Sequence, residues 1–142
     1  MLTNKFKINY SIGAVANGIK TDTFTFFLLF FYSNIIGLNP ALAGSAIFIA
    51  LCVDAVTDPL MGTISDRTNS SYGRRHPFMM ISFIPMSFGY IFLFAPRQDW
   101  DMSQSDLFIW MTIFTVITRI GMTLFDIPHR AFGGEITKNY KE

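Results

Sequence analysis

The sequence is poor in charge and has a single cysteine. Charged residues make up 15% of its 142 positions, and the net charge is +1. Its longest run of basic residues is the pair Arg74 and Arg75, whereas proteins that bind nucleic acid carry larger basic patches, so we predict no nucleic-acid partner. Cys52 has no second cysteine with which to form an internal disulfide, and its apolar surroundings favour a packing residue.

Apolar residues, in contrast, are abundant. They make up 51% of the chain, with sixteen phenylalanines, and the mean hydropathy is +0.37. A bilayer core about 30 Å thick requires roughly 20 mostly apolar helical residues, and four segments qualify, at 11–36, 41–62, 77–95 and 106–128. We therefore predict an all-α polytopic membrane protein with four transmembrane helices. The first segment is too long and too polar at its centre to be a cleaved signal peptide.

The positive charges lie mainly on one side of this predicted arrangement. Eight lysines and arginines fall on the side of the two termini and of a loop at 63–76, against Arg97 alone on the other side. Cytoplasmic segments are enriched in Lys and Arg, so we predict a multi-pass protein of the inner (plasma) membrane with both termini in the cytoplasm. The eight residues are Lys5, Lys7, Arg67, Arg74, Arg75, Arg130, Lys138 and Lys141.

Acidic residues interrupt the second and fourth apolar segments. Asp54 and Asp58 stand at positions i and i+4 of the second helix and so share one face. Two carboxylates this close repel each other unless a cation lies between them or one holds a proton. Because ionisable groups inside a membrane are costly and mark ion pathways, the pair predicts a Na⁺ or H⁺ site. Thr123 and Asp126 share a face of the fourth helix and could add ligands, as could a backbone carbonyl released by Pro128.

Depth along the helices, counted at about 1.5 Å per residue, predicts two further relationships. Asp22 and Arg119 lie near the middle of the bilayer and are expected to form an ion pair between the first and fourth helices. Asp54 is expected to be level with Asp126. Two alternatives stay open: Asp58 could instead cap a helix or pair with Arg67 or Arg74 at the inner surface, and the Arg119 pair fits an architectural role as well as a functional one.

The segment that follows the second helix contains a recognisable motif. GTISDRTNSSYGRR, at 62–75, resembles the G-x-x-x-D-R-x-G-R-R loop between helices two and three of the major facilitator superfamily, with a longer spacer. Such a loop can clamp neighbouring carbonyls and acids and so hold one transporter conformation, and its glycine allows close helix packing. The residues expected to form this gating loop are Gly62, Asp66, Arg67, Gly73, Arg74 and Arg75.

Three neighbouring motifs narrow the match. DAVTDP at 54–59, GRRHPF at 73–78 and DIPHRAFGGEIT at 126–137 together resemble the glycoside-pentoside-hexuronide:cation symporters, the melibiose permease-like family, along nearly the whole chain. The resemblance implies a secondary active transporter, not an enzyme, that couples uptake of a sugar or glycoside to Na⁺ or H⁺, with Li⁺ as a further option. It implies no other cofactor or metal.

The family pattern also implies roles for individual residues. Asp54, Asp58 and Thr123 match the positions that bind the coupling cation. Asp126 matches the acid that contacts the sugar hydroxyls. On this basis we expect this chain to have the family's cation-binding residues.

The sugar half departs from the family pattern. Asn17 and Gly18 stand where the family has a Lys-Asp pair, and Arg130 stands where it has a tryptophan that stacks on the sugar. Asp22, one turn beyond Gly18, could supply a displaced acid. The expected substrate residues are Asp126, Asp22, Asn17, Gly18, Arg119 and Arg130.

The resemblance implies twelve helices in two six-helix bundles, of which this chain would supply the first four. We expect it to be the N-terminal portion of a carrier, through gene truncation or an incomplete sequence, and to need the missing C-terminal helices for function. Alternatives are a cation-coupled carrier of a lipid or other amphiphile and a self-contained four-helix oligomeric membrane protein. The least favoured is an intramembrane Mg²⁺-dependent transferase, which would need a second acid-rich motif.

Overall fold

The computed structural model describes residues 24–68 and 76–136, whose regular structure is helical with no β-strand. We number the helices α1 (Phe24–Ile36), α2 (Pro40–Arg67), α3 (His76–Leu93) and α4 (Gln104–Ile136). By length and composition α2, α3 and α4 can each cross a membrane, and α1 is a shorter apolar helix. The predicted all-α membrane fold is confirmed, while the first half of the predicted first helix, 11–23, lies outside the described residues.

The second and fourth helices are longer than predicted. We expected α2 to end at 62 and a loop to begin at 63, yet α2 continues to Arg67. We expected α4 to end at 128, yet it continues through the buried Pro128 to Ile136. Both predicted ends were placed where the apolar run stops, but a helix continues into polar sequence wherever its backbone stays hydrogen-bonded.

Each long helix also contains a proline in its interior, Pro59 in α2 and Pro128 in α4. Proline has no N–H, so each leaves the carbonyl four residues earlier without its helical donor. Beyond Pro59 the hydroxyls of Thr63 and Thr68 donate to carbonyls one turn back, at 2.9 and 2.7 Å. These bonds lie on the polar last turns of α2, which the apolar pattern did not include.

Helix α4 is the centre of the described bundle, and α2 and α3 both pack against it. The core on its N-terminal half is apolar and joins α1, α3 and α4 through Leu28, Tyr32, Leu93 and Met111. The buried Tyr32 hydroxyl donates a hydrogen bond to the Leu93 carbonyl oxygen at 2.7 Å. This bond links the first helix to the end of the third.

Two glycines permit the close approach of α3 and α4. A Cβ added at Gly121 would lie 2.7 Å from the Met86 backbone nitrogen, and one at Gly89 would lie 3.0 Å from the Thr118 Cα. By contrast, a Cβ at Gly62 would meet Ile127 Cγ2 at an ordinary 3.8 Å. Gly62 thus faces Ile127 of α4 with space for a Cβ within the described structure.

A polar clip joins the turn before α2 to the start of α4. The turn passes through Gly37, whose φ of +86° favours glycine, and Asn39 caps α2 by accepting from the Ala41 N–H at 2.9 Å. The Gln104 side chain accepts from the Asn39 N–H at 2.8 Å and donates to the Gly37 carbonyl at 2.9 Å. The N-terminal ends of α2 and α4 are thus held side by side.

The outward faces of the helices are apolar. Phe48 on α2 is 65% exposed, and Ile84 and Ile91 on α3 are 72% and 68% exposed. Contiguous apolar surface of this kind is typical of faces that contact lipid or other helices rather than water.

Candidate cation and substrate site

Two pairs of polar side chains connect α2 and α4 in the apolar interior. In the first pair, the Thr123 hydroxyl donates to the Asp58 carboxylate at 2.7 Å. Thr123 is only 7% exposed. The structure thus joins two of the three residues predicted to bind the cation.

In the second pair, Arg119 Nη1 donates to Asp54 Oδ2 at 2.6 Å and forms a salt bridge. The side chains of Arg119 and Asp54 are 12% and 19% exposed, so the pair is largely desolvated. Arg119 Nη2 also reaches Thr25 Oγ1 on α1 at 3.4 Å, which is a long contact for a hydrogen bond. We expected Arg119 to pair with Asp22, which lies outside the described residues; the partner that the structure shows is Asp54.

The two pairs follow from helix geometry. Asp54 and Asp58 are four residues apart on α2, and Arg119 and Thr123 are four residues apart on α4, so each helix presents both side chains on one face. The numbering rises in the same direction along both helices, which shows that α2 and α4 run parallel here. The result is two cross-links, one helical turn apart.

One depth prediction is wrong. Asp54 contacts Arg119, which precedes Asp126 by seven residues, or about 10 Å along the helix axis. Asp54 is therefore level with Arg119 rather than with Asp126. Counted from the observed helix ends, Arg67 and Ile136, Asp54 and Asp126 are 13 and 10 residues away, so distance from a helix end does not fix the relative height of two helices.

A cavity of about 170 Å³ lies against these residues, with room for on the order of five water molecules. Two predicted substrate residues, Asp126 and Arg130, also line it. Its three carboxylates and two guanidinium groups carry a net charge of −1 when all are ionised. The complete lining is Asp54, Asp58, Arg119, Met122, Thr123, Asp126, Ile127 and Arg130.

The alternative pairing of Asp58 with Arg67 finds no support in the described structure. Arg67 forms no ion pair with Asp58 among residues 24–68 and 76–136, and the Asp58 carboxylate bonds to Thr123 instead. Arg74, the other alternative partner, lies outside the described residues.

The remaining predicted residues fall into two groups. Gly62, Asp66 and Arg67 of the expected gating loop lie on the last turns of α2 rather than in a loop. The others lie outside the described residues: Asn17, Gly18, Asp22, Gly73, Arg74 and Arg75.

Sequence reasoning missed the Asp54–Arg119 pair although it singled out both residues. A usable signal was present, since Arg119 precedes Thr123 by the same interval as Asp54 precedes Asp58. Among the described side chains, no group of three or more His, Cys, Asp or Glu is arranged to hold a metal ion. The groups that bond to the α2 carboxylates are the Thr123 hydroxyl and the Arg119 guanidinium.

The chain is similar to several proteins that are named as symporters. The family described as MFS/sugar transport protein matches residues 9–142. An uncharacterized symporter of Synechocystis is 34% identical over 139 residues, which cover 96% of this chain and 26% of the relative. A putative glycoside/cation symporter of Escherichia coli is 32% identical over 141 residues, with 99% and 30% covered. The sodium-dependent lysophosphatidylcholine symporter 1-A of Danio rerio is 29% identical over 144 residues, with 99% and 26% covered.

No solved structure matches the chain. The chain spans less than a third of the length of these relatives. Nearly all of it is nevertheless covered by the family match, and the helical fold agrees with the resemblance drawn from its motifs. The chain belongs to the MFS/sugar transport protein family of the major facilitator superfamily.

Proposed function

We propose that this chain forms part of a cation-coupled symporter for a sugar or glycoside and contributes its cation site. The observation that carries the proposal is the hydrogen bond between Asp58 and Thr123 at 2.7 Å. It places a carboxylate and a hydroxyl, the hard oxygen donors that small cations prefer, beside a cavity inside the membrane span. The similarity to the Escherichia coli protein named as a putative glycoside/cation symporter supports the same class of transporter.

The substrate would bind at the Asp126 and Arg130 end of the cavity. A carboxylate and a guanidinium can together accept from and donate to sugar hydroxyls. At about 170 Å³ the cavity is smaller than the roughly 300–1,000 Å³ of typical ligand pockets. Helices beyond this chain would therefore supply the remaining walls, as expected where a site lies between two halves of a transporter.

The coupling follows from charge. The cavity side chains carry one net negative charge, so one monovalent cation at Asp58 neutralises the site. A neutral site favours the conformation in which Asp126 binds substrate, and the difference in cation affinity between the two conformations sets the extent of coupling. The last turns of α2, which contain Asp66, would then release the cytoplasmic gate as the carrier turns inward.

Uptake by vesicles containing the full-length protein tests this proposal. We expect a labelled glycoside to be taken up faster with Na⁺, Li⁺ or an inward proton gradient, and Asp58→Asn to abolish that stimulation. Asp99→Asn is the matched control because Asp99 is an exposed residue of the turn at Gln98–Trp100. Glycoside uptake that ignored all three cations, or stimulation that survived Asp58→Asn, would contradict the proposal.

A lipid or other amphiphile is the second candidate substrate. It is favoured by Arg130, a cation at the cavity that suits the phosphate of a lipid headgroup, and by the lysophosphatidylcholine named for the Danio rerio relative. The same vesicles should then take up labelled lysophosphatidylcholine in a cation-dependent manner and no glycoside. Arg130→Gln should reduce this lysophosphatidylcholine uptake, whereas Asp99→Asn should leave it unchanged.

A further inference from the structure

Arg119 gives the α2 carboxylates unequal charge environments. Asp54 faces a guanidinium at 2.6 Å, whereas Asp58 faces a neutral hydroxyl at 2.7 Å. Because desolvated charges interact strongly, the charge of Asp54 is already balanced by the protein. The charge of Asp58 is not balanced by its partner.

We propose that Arg119 is a tethered cation that occupies the place of one ion at Asp54 and confines the transported cation to Asp58 and Thr123. The inference rests on the proposed function, since it concerns the ion that the carrier would transport. Arg119 is then the residue that sets the number of cations at one. Without it, the two carboxylates of α2 would form a doubly charged site.

The pair is well suited to this role because it is held in place yet incompletely bonded. Arg119 contacts Asp54 through a single nitrogen, and Thr25 on α1 lies within 3.4 Å of its other terminal nitrogen. Within the described residues, the buried Asp54 Oδ1 and Arg119 Nε make no hydrogen bond. Asp54 therefore has one oxygen atom without a hydrogen bond, although its charge is balanced by Arg119. The contribution of the charge and that of the oxygen can be tested separately.

Four full-length proteins separate these contributions: wild type, Asp58→Asn, Asp54→Asn, and the double variant Asp54→Asn/Arg119→Gln. Asp54→Asn keeps a neutral oxygen and removes the charge. It leaves Arg119 unbalanced one turn from Asp58, where it competes with the cation. The double variant removes both charges and restores the original balance.

Binding of radiolabelled Na⁺ to the purified proteins is the measurement, with Li⁺ and H⁺ as competitors. We expect Asp54→Asn to weaken Na⁺ binding by about tenfold or more and the double variant to return within about threefold of wild type, because the second change removes the charge that the first left unbalanced. Asp58→Asn should abolish binding. The double variant keeps the charge balance, so its result stands even where a single variant fails to fold.

Two outcomes separate failure of the inference from failure of the proposed function. If wild type binds Na⁺ and the double variant loses binding as fully as Asp58→Asn, Asp54 is itself a charged ligand and the tethered-cation role is wrong. If wild type binds none of the three cations, or if Asp58→Asn still binds them, the proposed cation site is wrong, and the inference falls with it.

Discussion

At the scale of single residues, Thr123 determines how the Asp58 carboxylate is presented to the cavity. Its hydroxyl donates to one carboxylate oxygen at 2.7 Å from a nearly buried position. A hydroxyl can donate its proton to the carboxylate and still offer a lone pair to a cation. Thr123 can therefore both orient Asp58 and act as a ligand.

Replacing Thr123 with valine tests this double role. Valine keeps the shape but removes the donor and the ligand, and a hydrogen bond to a charged group contributes about 1.5–3 kcal/mol. We expect Thr123→Val to weaken Na⁺ binding by about tenfold or more, whereas Thr123→Ser should bind within about threefold of wild type. Equal Na⁺ binding by the valine and serine variants would show that the hydroxyl does not act on the site.

The Tyr32 hydroxyl makes a second isolated polar contact whose loss can be measured. It is fully buried and donates to the Leu93 carbonyl at 2.7 Å. Tyr32→Phe should lower the free energy of unfolding of the full-length protein by about 1 kcal/mol, because the carbonyl loses its partner. Thermal unfolding in detergent is the measurement.

Tyr90→Phe is the control for Tyr32→Phe. Tyr90 packs edge-on against Phe24 with ring centroids 5.2 Å apart, and within the described residues its hydroxyl has no assigned hydrogen bond. The control should unfold at the wild-type temperature. If both variants unfolded alike, the Tyr32 hydrogen bond would contribute nothing to stability.

The site residues show what sequence can and cannot predict at this scale. Asp58 and Thr123, which the family resemblance assigned to one cation site, are hydrogen-bonded in the structure. The Asp54–Arg119 pair was not predicted, because pairing across helices depends on their relative translation. The relative translation of two helices is set by packing over many residues. The predicted C-terminal ends of α2 and α4 also differed from the observed ends by more than one turn.

At the scale of secondary-structure elements, the contact of α3 with α4 depends on two glycines. Gly89 faces Thr118 and Gly121 faces the Met86 backbone, and either would clash after gaining a Cβ. Without a hydrophobic force between helices in lipid, close van der Waals contact is a main source of association. Small residues at these two points are therefore essential to the packing.

Gly121→Ala should lower the stability of the full-length protein by about 1–3 kcal/mol, the usual cost of overpacking. The contacted atom is Met86 backbone nitrogen at 2.7 Å, which cannot move aside as a side-chain tip can. The unfolding temperature in detergent should fall accordingly.

Gly44→Ala is the matched control for Gly121→Ala. Gly44 also lies in a helix, but a Cβ there meets nothing within 4 Å among the described residues. Alanine favours the helix by about 1 kcal/mol relative to glycine, so this variant should be neutral or slightly more stable. A stable Gly121→Ala protein would mean that α3 and α4 separate more easily than their contact indicates.

The elements themselves were predictable in kind but not in extent. Apolar runs identified α2, α3 and α4, because the bilayer demands apolar residues over a fixed length. They did not predict the last turns of α2, where threonine hydroxyls bond to the backbone of a polar segment. Nor did they predict Gly89 and Gly121, since close contact depends on which helix faces which.

At the scale of the whole molecule, the distribution of polar groups divides the described bundle along its length. The Gln104 clip joins α2 to α4 at their N-terminal ends, and the Asp54 and Asp58 pairs join them nearer the middle. Beyond these, the C-terminal turns of α2 carry Asp66 and Arg67. The clip, the charged pairs and the C-terminal turns of α2 therefore follow one another along the bundle, from the predicted outer side to the predicted cytoplasmic side.

This direction predicts a membrane orientation that can be measured. The predicted cytoplasmic enrichment in Lys and Arg places Arg67 inside and the turn that contains Asp99 outside. Cys52 is the chain's only cysteine, so the full-length protein with Cys52 and any cysteines beyond this chain replaced by alanine gives a background free of thiols. A single cysteine is then introduced by Asp99→Cys or by Arg67→Cys.

In intact cells, a maleimide that cannot cross the membrane should label the Asp99→Cys protein and leave the Arg67→Cys protein unlabelled. After the membrane is permeabilised, both proteins should be labelled, which controls for the accessibility of each thiol. The expected difference arises because both sites lie in exposed positions and only the membrane separates one of them from the reagent. Labelling of Arg67→Cys alone in intact cells would contradict the predicted orientation. It would place the C-terminal end of α2, with the gate proposed there, on the outer side.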